Sequence, residues 1–471
     1  MKLVRVVASS MWRRGSVLKQ PVGWSVLPMD GTAANSRDGQ VDGSCERGKM
    51  GELHKELRRS RALEAAWRVV RRNGLGPNTS LRTKAEVLEF EENAARNLKS
   101  IQSRLVKGTF QFAPQKGVAI PRPGKKSRPI VIAPVENRIV QRALLNEMTR
   151  RIDAVRDVLN IETSVGGIEG RETAIAIAWR EIKNGAKWFV RSDIPDFFTK
   201  IPKKPIADFL RAHCDDLEFV ALYEQAIETV LGNEADLGQE SKLFPSAEVG
   251  VAQGSALSPL AGNILLRDFD KKMNGRGIVC VRYIDDFLIL GPSREKVAAA
   301  FNSARASLEK FGLGAYDPAT HPNKAAIGPI DDGFDFLGCH IVPGLIQPSS
   351  DARSALLGKV REILNDSARA VKDALRGKGT AATERRRFAQ TLEHLDNRLN
   401  GWRHAYQFCN GVQSIESLDA EIDKLLRRYL TSINSLLDSE SFPAWRRGLG
   451  VAVLADVPRV DINQIKRNLK N

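Results

Sequence analysis

The pattern Tyr283-Ile284-Asp285-Asp286 places two carboxylates side by side between two short apolar runs that are predicted strands. Hairpin turns favour glycine or asparagine because the tight primed turns need positive φ, so turn formation does not explain two aspartates. Adjacent carboxylates repel each other, and one pKa rises unless a cation neutralises them. Ligand sets made only of oxygen suit Mg²⁺. The pattern therefore indicates a magnesium site, with an exposed acidic turn as the alternative.

A third carboxylate, Asp193, is predicted at the carboxyl end of an apolar strand that begins at Trp188. Pro195 cannot continue a central ladder, so the strand is expected to stop beside Asp193. If this strand lies next to the hairpin, Asp193 and Asp285 can share two divalent ions about 3.5–4 Å apart, an arrangement that stabilises both oxygens in phosphoryl transfer. A capping or surface aspartate is the alternative.

Between these carboxylates, Gln253-Gly254 opens a polar loop that leads into a helix predicted to begin at Ser258-Pro259. Gly254 permits close approach of the backbone, and proline is preset for a first helical turn. Such a loop can support a base pair or a sugar, whereas an ordinary loop-to-helix junction is the alternative. Gln253 follows Asp193 by 60 residues and precedes Asp285 by 32.

Composition narrows the class of protein that could hold this site. The 471 residues include 72 Lys and Arg against 56 Asp and Glu, a net charge of +16, which favours a polyanionic partner such as nucleic acid. The five cysteines are scattered without a CxxC pair, which excludes a disulfide scaffold and a zinc finger. No apolar run approaches the length of a membrane span, so we expect a cytoplasmic protein that has no membrane partner.

Periodicity and composition predict five regions along the chain. Residues 1–50 are expected to be a basic, disordered extension, with a weak transit-peptide character as the alternative, and residues 51–115 a helical region. Residues 116–347 mix helices and strands, beginning with a hairpin whose tip, Pro123-Gly124-Lys125-Lys126, is basic. Three amphipathic helices are predicted in residues 348–435, followed by a tail at 436–471.

Taken together, the strand aspartate, the QGxxLSPLxxN loop and the YxDD hairpin, in this order and spacing, resemble the reverse transcriptases. The resemblance is to the bacterial group that spans group II intron proteins, retron enzymes and defence-associated types, and it covers roughly residues 53–429. It implies an α+β fold, a right-hand polymerase with fingers, palm and helical thumb. It also implies an RNA-directed DNA polymerase that uses two Mg²⁺ ions, an RNA template, a DNA primer and deoxynucleoside triphosphates.

The resemblance assigns roles to eight residues. It implies that Asp193, Asp285 and Asp286 hold the two metal ions. Arg122 and Arg128 match the basic residues that close over the triphosphate, a task suited to the planar fork of arginine. The other three matches are Phe198, which stacks under the sugar and selects deoxynucleotides; Gln253, in the nucleotide-binding loop; and Lys324, a candidate proton donor to pyrophosphate.

Two departures bear on the subfamily. Ile284 stands where intron proteins commonly have alanine, and no Cys/His cassette follows the predicted thumb. Both favour a retron or antiphage-defence enzyme, which could use a dedicated non-coding RNA. A maturase-like RNA-binding protein of a group II intron, and template-independent or protein-primed DNA synthesis, are the alternatives.

Overall fold

The structure, a computed structural model, describes residues 51–76, 79–122, 124–166, 170–378, 386–438, 444–451 and 453. The extension predicted at 1–50 and most of the tail predicted at 436–471 lie outside the described residues. The chain divides into two compact units, with the boundary between Asp332 and Gly333. Both units combine helices and strands, so the predicted α+β class is confirmed. The boundaries expected at 115/116, 347/348 and 435/436 stay predictions.

The described part of the helical region predicted at residues 51–115 contains four helices. Two of the boundaries between them lie at Arg58-Arg59 and at Asn93. Asn93 has φ −127° and ψ 33°, a non-helical conformation that suits a short polar side chain able to bond the local backbone. The resulting helices are α1 (Glu52–Leu57), α2 (Ser60–Gly74), α3 (Leu81–Glu92) and α4 (Ala94–Val106).

The predicted basic hairpin is present. Strands β1 (Lys116–Arg122) and β2 (Lys125–Ile132) pair antiparallel, and Gly124 at the tip has φ +66°, a conformation that glycine adopts at little cost. Helix α5 (Val135–Arg151) follows the hairpin and packs against α2.

A four-stranded antiparallel sheet, which we call the palm sheet, forms the centre of the first unit. Its order is β4-β5-β3-β6. The middle strand β5 is buried from Phe287 to Gly291, which explains its continuous apolar sequence, whereas the middle strand β3 is buried at Phe189, Val190 and Ser192. The strands are β3 (Trp188–Asp193), β4 (Val279–Tyr283), β5 (Asp286–Gly291) and β6 (Ala326–Pro329).

Helices surround the palm sheet and complete the core of the first unit. Two of them contact its strands: α7 (Arg171–Lys183) lies against β4 and β5, and α13 (Arg294–Glu309) lies against β3 and β5. The remaining helices are α6 (Asp153–Leu159), α8 (Phe197–Lys200), α9 (Lys204–His213), α10 (Leu217–Ile227), α11 (Glu234–Leu237) and α12 (Ser258–Lys272).

The second unit contains a small sheet and the predicted helical bundle. Strands β7 (Phe334–Phe336), β8 (Cys339–Val342) and β9 (Leu345–Pro348) pair antiparallel in chain order. The three predicted amphipathic helices are confirmed, and their apolar faces form one core. They are α14 (Ser350–Leu375), α15 (Phe388–Ala405) and α16 (Val412–Asp438), followed by a short α17 (Ala444–Leu449). None of the helices in the described ranges has the length and apolar character that a membrane crossing requires.

Candidate active site

Three predicted carboxylates meet at one end of the palm sheet. β3 ends at Asp193, as predicted, and this residue is the register partner of Asp286 on β5. Directly opposed residues on antiparallel strands have Cβ atoms about 4.5–5.5 Å apart. The backbone amide of Ile194 donates to the carbonyl oxygen of Asp285 over 3.0 Å, which fixes the hairpin tip beside the end of β3.

The tip is a two-residue turn, Ile284-Asp285, and Asp286 is already the first residue of β5. The expectation that Asp286 belongs to the tip is therefore corrected by one position. The turn places Ile284 at φ +59°, a conformation that is strained for a β-branched residue. Such strain persists only where surrounding contacts over-determine the backbone, and it is concentrated at functional sites.

Burial and mutual repulsion perturb the carboxylates of the hairpin. Burial, and then the charge of Asp193, raise the pKa of Asp285. Burial, followed by the charges of Asp285 and Asp193, raises the pKa of Asp286 to about 7. Lys324 and Arg191 oppose this rise without cancelling it. The end of the palm sheet is thus an acidic site whose negative charge is not fully neutralised, and an added cation would stabilise it.

The carboxylate oxygens of Asp193, Asp285 and Asp286 are suitable ligands for a divalent cation, although they are not arranged as a complete coordination sphere. Within the described ranges, no group of three or more His, Cys, Asp or Glu side chains is arranged as a metal site. Asp193 Oδ2 instead accepts a hydrogen bond of 3.1 Å from Lys324 Nζ. Asp193 Oδ1 is buried without a hydrogen-bond partner, which leaves a buried acceptor free for another ligand. A buried oxygen without a partner, beside two carboxylates whose pKa values are raised, suits Mg²⁺.

The Gln253 loop is attached to the basic hairpin. Gln253 Oε1 accepts from Arg128 Nε over 3.0 Å, and its carbonyl oxygen accepts from the amide of Val131 over 2.9 Å. Gly254 has φ +121°, and a Cβ there would lie 2.8 Å from the carbonyl oxygen of Val131. Only glycine therefore allows this approach. The charge of Arg128 partly offsets the rise in the pKa of Asp285, so this arginine lies within electrostatic range of the carboxylate site.

The remaining predicted residues differ in how close they lie to this site. Phe198 is half-buried, and its carbonyl oxygen accepts from the amide of Val251 in the segment before Gln253. Arg122 lies at the exposed hairpin tip, where its Nε donates to the carbonyl oxygen of Lys126. The structure thus groups Arg128 with Gln253 and the carboxylates, and it places Arg122 in the hairpin's own contacts. Asp196, expected to lie outside the site, is exposed and 3.8 Å from Lys200.

Sequence reasoning missed a fully buried arginine next to the turn. Arg282 on β4 forms an ion pair with Asp270 of α12 and donates through Nη1 to the carbonyl oxygen of Ile284 over 2.8 Å. The available signal was a charged residue inside the apolar strand Val279–Tyr283, because arginine is almost never buried unless it is paired.

Comparisons with known proteins find similar sequences over the segment that contains this site. The family model described as reverse transcriptase (RNA-dependent DNA polymerase) matches residues 120–341, a stretch that contains all eight predicted site residues. Protein YkfC of Escherichia coli (strain K12) is 26% identical over 295 residues, which cover 54% of this chain and 73% of that protein.

Two further relatives are similar over shorter segments. The putative COX1/OXI3 intron 1 protein of Saccharomyces cerevisiae is 26% identical over 36% of this chain, and an uncharacterized 91 kDa protein in the cob intron of Schizosaccharomyces pombe is 27% identical over 37%. The chain spans only about a fifth of the length of each, 19% and 20%.

Solved structures give weaker likenesses. A chain of the partial Cas6-RT-Cas1--Cas2 complex has a TM-score of 0.31 at 19% identity. The alignment covers 55% of this chain and 41% of the chain in that complex. Apo telomerase from Candida tropicalis has a TM-score of 0.36 at 13% identity. The alignment covers 72% of this chain and 63% of the telomerase chain. The predicted class, an α+β fold of the right-hand polymerase type, is confirmed by the family match. Residues 120–341, just under half of the chain, thus match the reverse transcriptase family model, and over this segment the chain is similar to that family.

Proposed function

We propose that this protein is an RNA-directed DNA polymerase that synthesises cDNA from an RNA template. One observation carries the proposal: Asp193 faces Asp286 across β3 and β5, beside the strained Asp285 turn, within the segment matched to reverse transcriptases. A protein that only bound RNA would have no need for three carboxylates brought together at one end of the sheet.

Asp193, Asp285 and Asp286 are the residues that would hold two Mg²⁺ ions. When bound, such ions lower the pKa of the primer 3′-hydroxyl and neutralise the triphosphate as pyrophosphate leaves. The buried Asp193 Oδ1 that lacks a partner and the raised pKa values of Asp285 and Asp286 support this assignment.

Cationic side chains around the carboxylates supply the contacts for a nucleotide. Arg128 donates through Nε to Gln253 and lies within electrostatic range of Asp285, so its remaining N–H groups can bind phosphate oxygens beside the carboxylates. Lys324 Nζ lies against Asp193 and carries a proton that it can donate to a leaving phosphate oxygen. Arg122, at the exposed hairpin tip, would reach a triphosphate through movement of the hairpin.

Phe198 is the proposed selector for deoxynucleotides. It packs on the buried ring of Phe197 at a centroid distance of 5.5 Å and is itself half-buried. A ring fixed in this way would stack under the sugar and collide with a 2′-hydroxyl. The net charge of +16 supports binding of the template and primer through their phosphates, so affinity is expected to fall steeply with salt.

The test is primer extension on an RNA template with Mg²⁺, comparing the wild type with Asp285→Asn and Asp196→Asn. Asp196 is a matched control, since it is 48% exposed and its left-handed backbone suits asparagine. Asp285→Asn is expected to reduce extension at least roughly 10³-fold, the equivalent of several kcal/mol in the barrier, and Asp196→Asn to leave it unchanged. Extension that persists in Asp285→Asn would contradict the metal assignment.

A maturase-like RNA-binding protein is the second candidate, and the similarity to two intron proteins favours it. In that case the protein would bind intron RNA tightly, and substitution of Asp285 would change neither binding nor splicing. A splicing assay with the Asp285→Asn variant separates the two functions.

The biological role proposed for the polymerase is a retron-type or antiphage-defence role, supported by Ile284 in the YxDD pattern. Sequencing the DNA made in cells identifies the template, including a dedicated non-coding RNA, and covalent attachment of that DNA to protein would indicate protein priming. Equal phage plating with and without the active protein, across a broad panel, would contradict the defence role.

A further inference from the structure

Arg282 is the largest side chain in the described part of the chain that is fully withdrawn from solvent, with an exposed fraction of 0%. It lies on β4, two residues before the turn that carries Asp285. Its neighbours Cys280 and Val281 are also buried, so the guanidinium sits within an apolar strand rather than at a surface. An arginine in such a place must have partners for its charge and its N–H groups.

The partners come from two separate segments of the chain. Nε and Nη2 of Arg282 donate to the two carboxylate oxygens of Asp270, over 2.7 and 2.5 Å. Nη2 also donates to Ser164 Oγ over 2.6 Å and to Asn263 Oδ1 over 3.1 Å. Asp270 and Asn263 both lie on α12, the helix that the Gln253 loop opens.

The last contact of Arg282 reaches the strained turn itself. Nη1 donates over 2.8 Å to the carbonyl oxygen of Ile284, which belongs to the peptide that leads into Asp285. Ile284 holds a positive φ of 59°, a conformation that a β-branched residue abandons when nothing fixes it. On the other side of the turn, the amide of Ile194 donates to the carbonyl oxygen of Asp285. The turn is therefore fixed from both sides, and Arg282 provides the side-chain contact.

The backbone around Arg282 is also fixed. Its amide donates to the carbonyl oxygen of Thr163, and its own carbonyl oxygen accepts from Val165, both over 2.8 Å. Close by, a Cβ at Gly166 would lie 1.8 Å from the Asn263 amide nitrogen, so the 163–166 segment packs directly on α12. The guanidinium therefore has little freedom to shift.

We propose that Arg282 is a positioning residue for the carboxylate site: it fixes the Ile284-Asp285 turn against α12 and thereby sets where Asp285 and Asp286 point. A buried ion pair can often be replaced by apolar residues without loss of stability, so stability alone does not explain this network. The inference deepens the proposed function and rests on it only for its catalytic consequence, because the positioning of the turn can be measured in the metal-free protein.

The test compares the wild type with Arg282→Met/Asp270→Leu, which removes both charges and leaves an apolar contact, and with Arg282→Lys, which keeps the charge but not the fork. Hydrogen exchange at the amides of Ile194 and of residues 284–287 is measured by mass spectrometry in the absence of metal. Glu56→Leu is the control, because Glu56 is a similarly buried carboxylate that pairs with Arg61 in α1 and α2.

We expect exchange at these amides to rise at least tenfold in the double variant and by less in Arg282→Lys, while exchange in the rest of β3 and β5 stays unchanged. The Mg²⁺ concentration for half-maximal primer extension is expected to rise at least tenfold, and Glu56→Leu is expected to change neither quantity. Exchange that is unchanged at the turn, or that rises uniformly across the palm sheet, would overturn the inference. Failure of the wild type to extend primers would instead overturn the proposed function. The exchange measurement would then still decide whether Arg282 positions the turn.

Discussion

Two clusters of charged side chains lie near β4 and the turn that follows it, and they differ in how fully their charges are balanced. We call the Arg282–Asp270 pair the inner cluster and the carboxylates Asp193, Asp285 and Asp286 the outer cluster. Inside the unit, Asp270 is matched by the guanidinium of Arg282, which makes contacts on all sides. At the end of the palm sheet, Asp193, Asp285 and Asp286 interact with Lys324, Arg128 and Arg191, yet these cations leave the pKa of Asp286 raised to about 7. The first cluster is complete without a ligand, whereas the carboxylates of the second are not fully neutralised by the protein. The difference indicates that the end of the sheet is built to receive cations.

The largest expected effect comes from breaking the inner cluster. Asp270→Ala leaves the guanidinium of Arg282 buried without its counter-charge, and we expect a loss of about 3–5 kcal/mol in the free energy of unfolding. Urea denaturation of the metal-free protein measures it. Asp268→Ala is the control, since the Asp268 side chain is 73% exposed, and its effect is expected to stay within about 0.5 kcal/mol. Equal losses in the two variants would remove the contrast between the clusters.

Removing a charge from the outer cluster is expected to have the opposite effect, a gain in the stability of the metal-free protein. The folded protein raises the pKa of Asp286 from 3.8 to about 7, so the folded state holds this proton more tightly than the unfolded chain does. The resulting stabilisation is complete below about pH 3.8 and is lost between pH 3.8 and 7. Asp286→Asn is therefore expected to stabilise the metal-free protein at pH 8, on the order of 2–3 kcal/mol: the full shift is worth about 4 kcal/mol, at about 1.4 kcal/mol per tenfold change in proton affinity, and burial of the new amide offsets part of it.

Thermal melts between pH 4 and pH 8, with and without Mg²⁺, measure this effect. Magnesium is expected to stabilise the wild type above pH 7 and to have much less effect on Asp286→Asn. A variant that is less stable than the wild type at pH 8 would show that Asp286 is neutralised within the fold.

The smallest effect concerns the ammonium group that now faces Asp193. Lys324 is 40% exposed, so Lys324→Met is expected to lower the stability of the metal-free protein by at most about 1 kcal/mol. Exposed Lys310→Met is the control, and melts at pH 7 compare them. The loss is expected to vanish at saturating Mg²⁺, because an added cation takes over the same neutralisation. A loss that Mg²⁺ leaves unchanged would mean that Lys324 acts elsewhere than at the carboxylates.

Local rules predicted much of this site from the sequence. Pro195 after an apolar run located the end of β3 at Asp193, and Ser258-Pro259 located the start of α12. The acidic hairpin was recognised because the turn lacked glycine. The exact turn was missed by one residue, because the pattern did not show that Ile284 would take the positive φ.

The inner cluster was not predictable in the same way. Arg282 meets Asp270 and Ser164 across 12 and 118 residues of chain, and no periodicity encodes such contacts. A charged residue within an apolar strand is a signal for a buried partner, but the partner is chosen by tertiary packing.

The central claim is that Asp193 and Asp285 hold a common pair of divalent ions. It is tested most directly by anomalous diffraction from crystals of the protein with primer, RNA template, an unreactive deoxynucleotide analogue and Mn²⁺. We predict two Mn²⁺ peaks about 3.5–4 Å apart, with Asp193 and Asp285 both within ligand distance. A bound nucleotide with no ion at these carboxylates, or ions that contact Asp285 but not Asp193, would contradict the account.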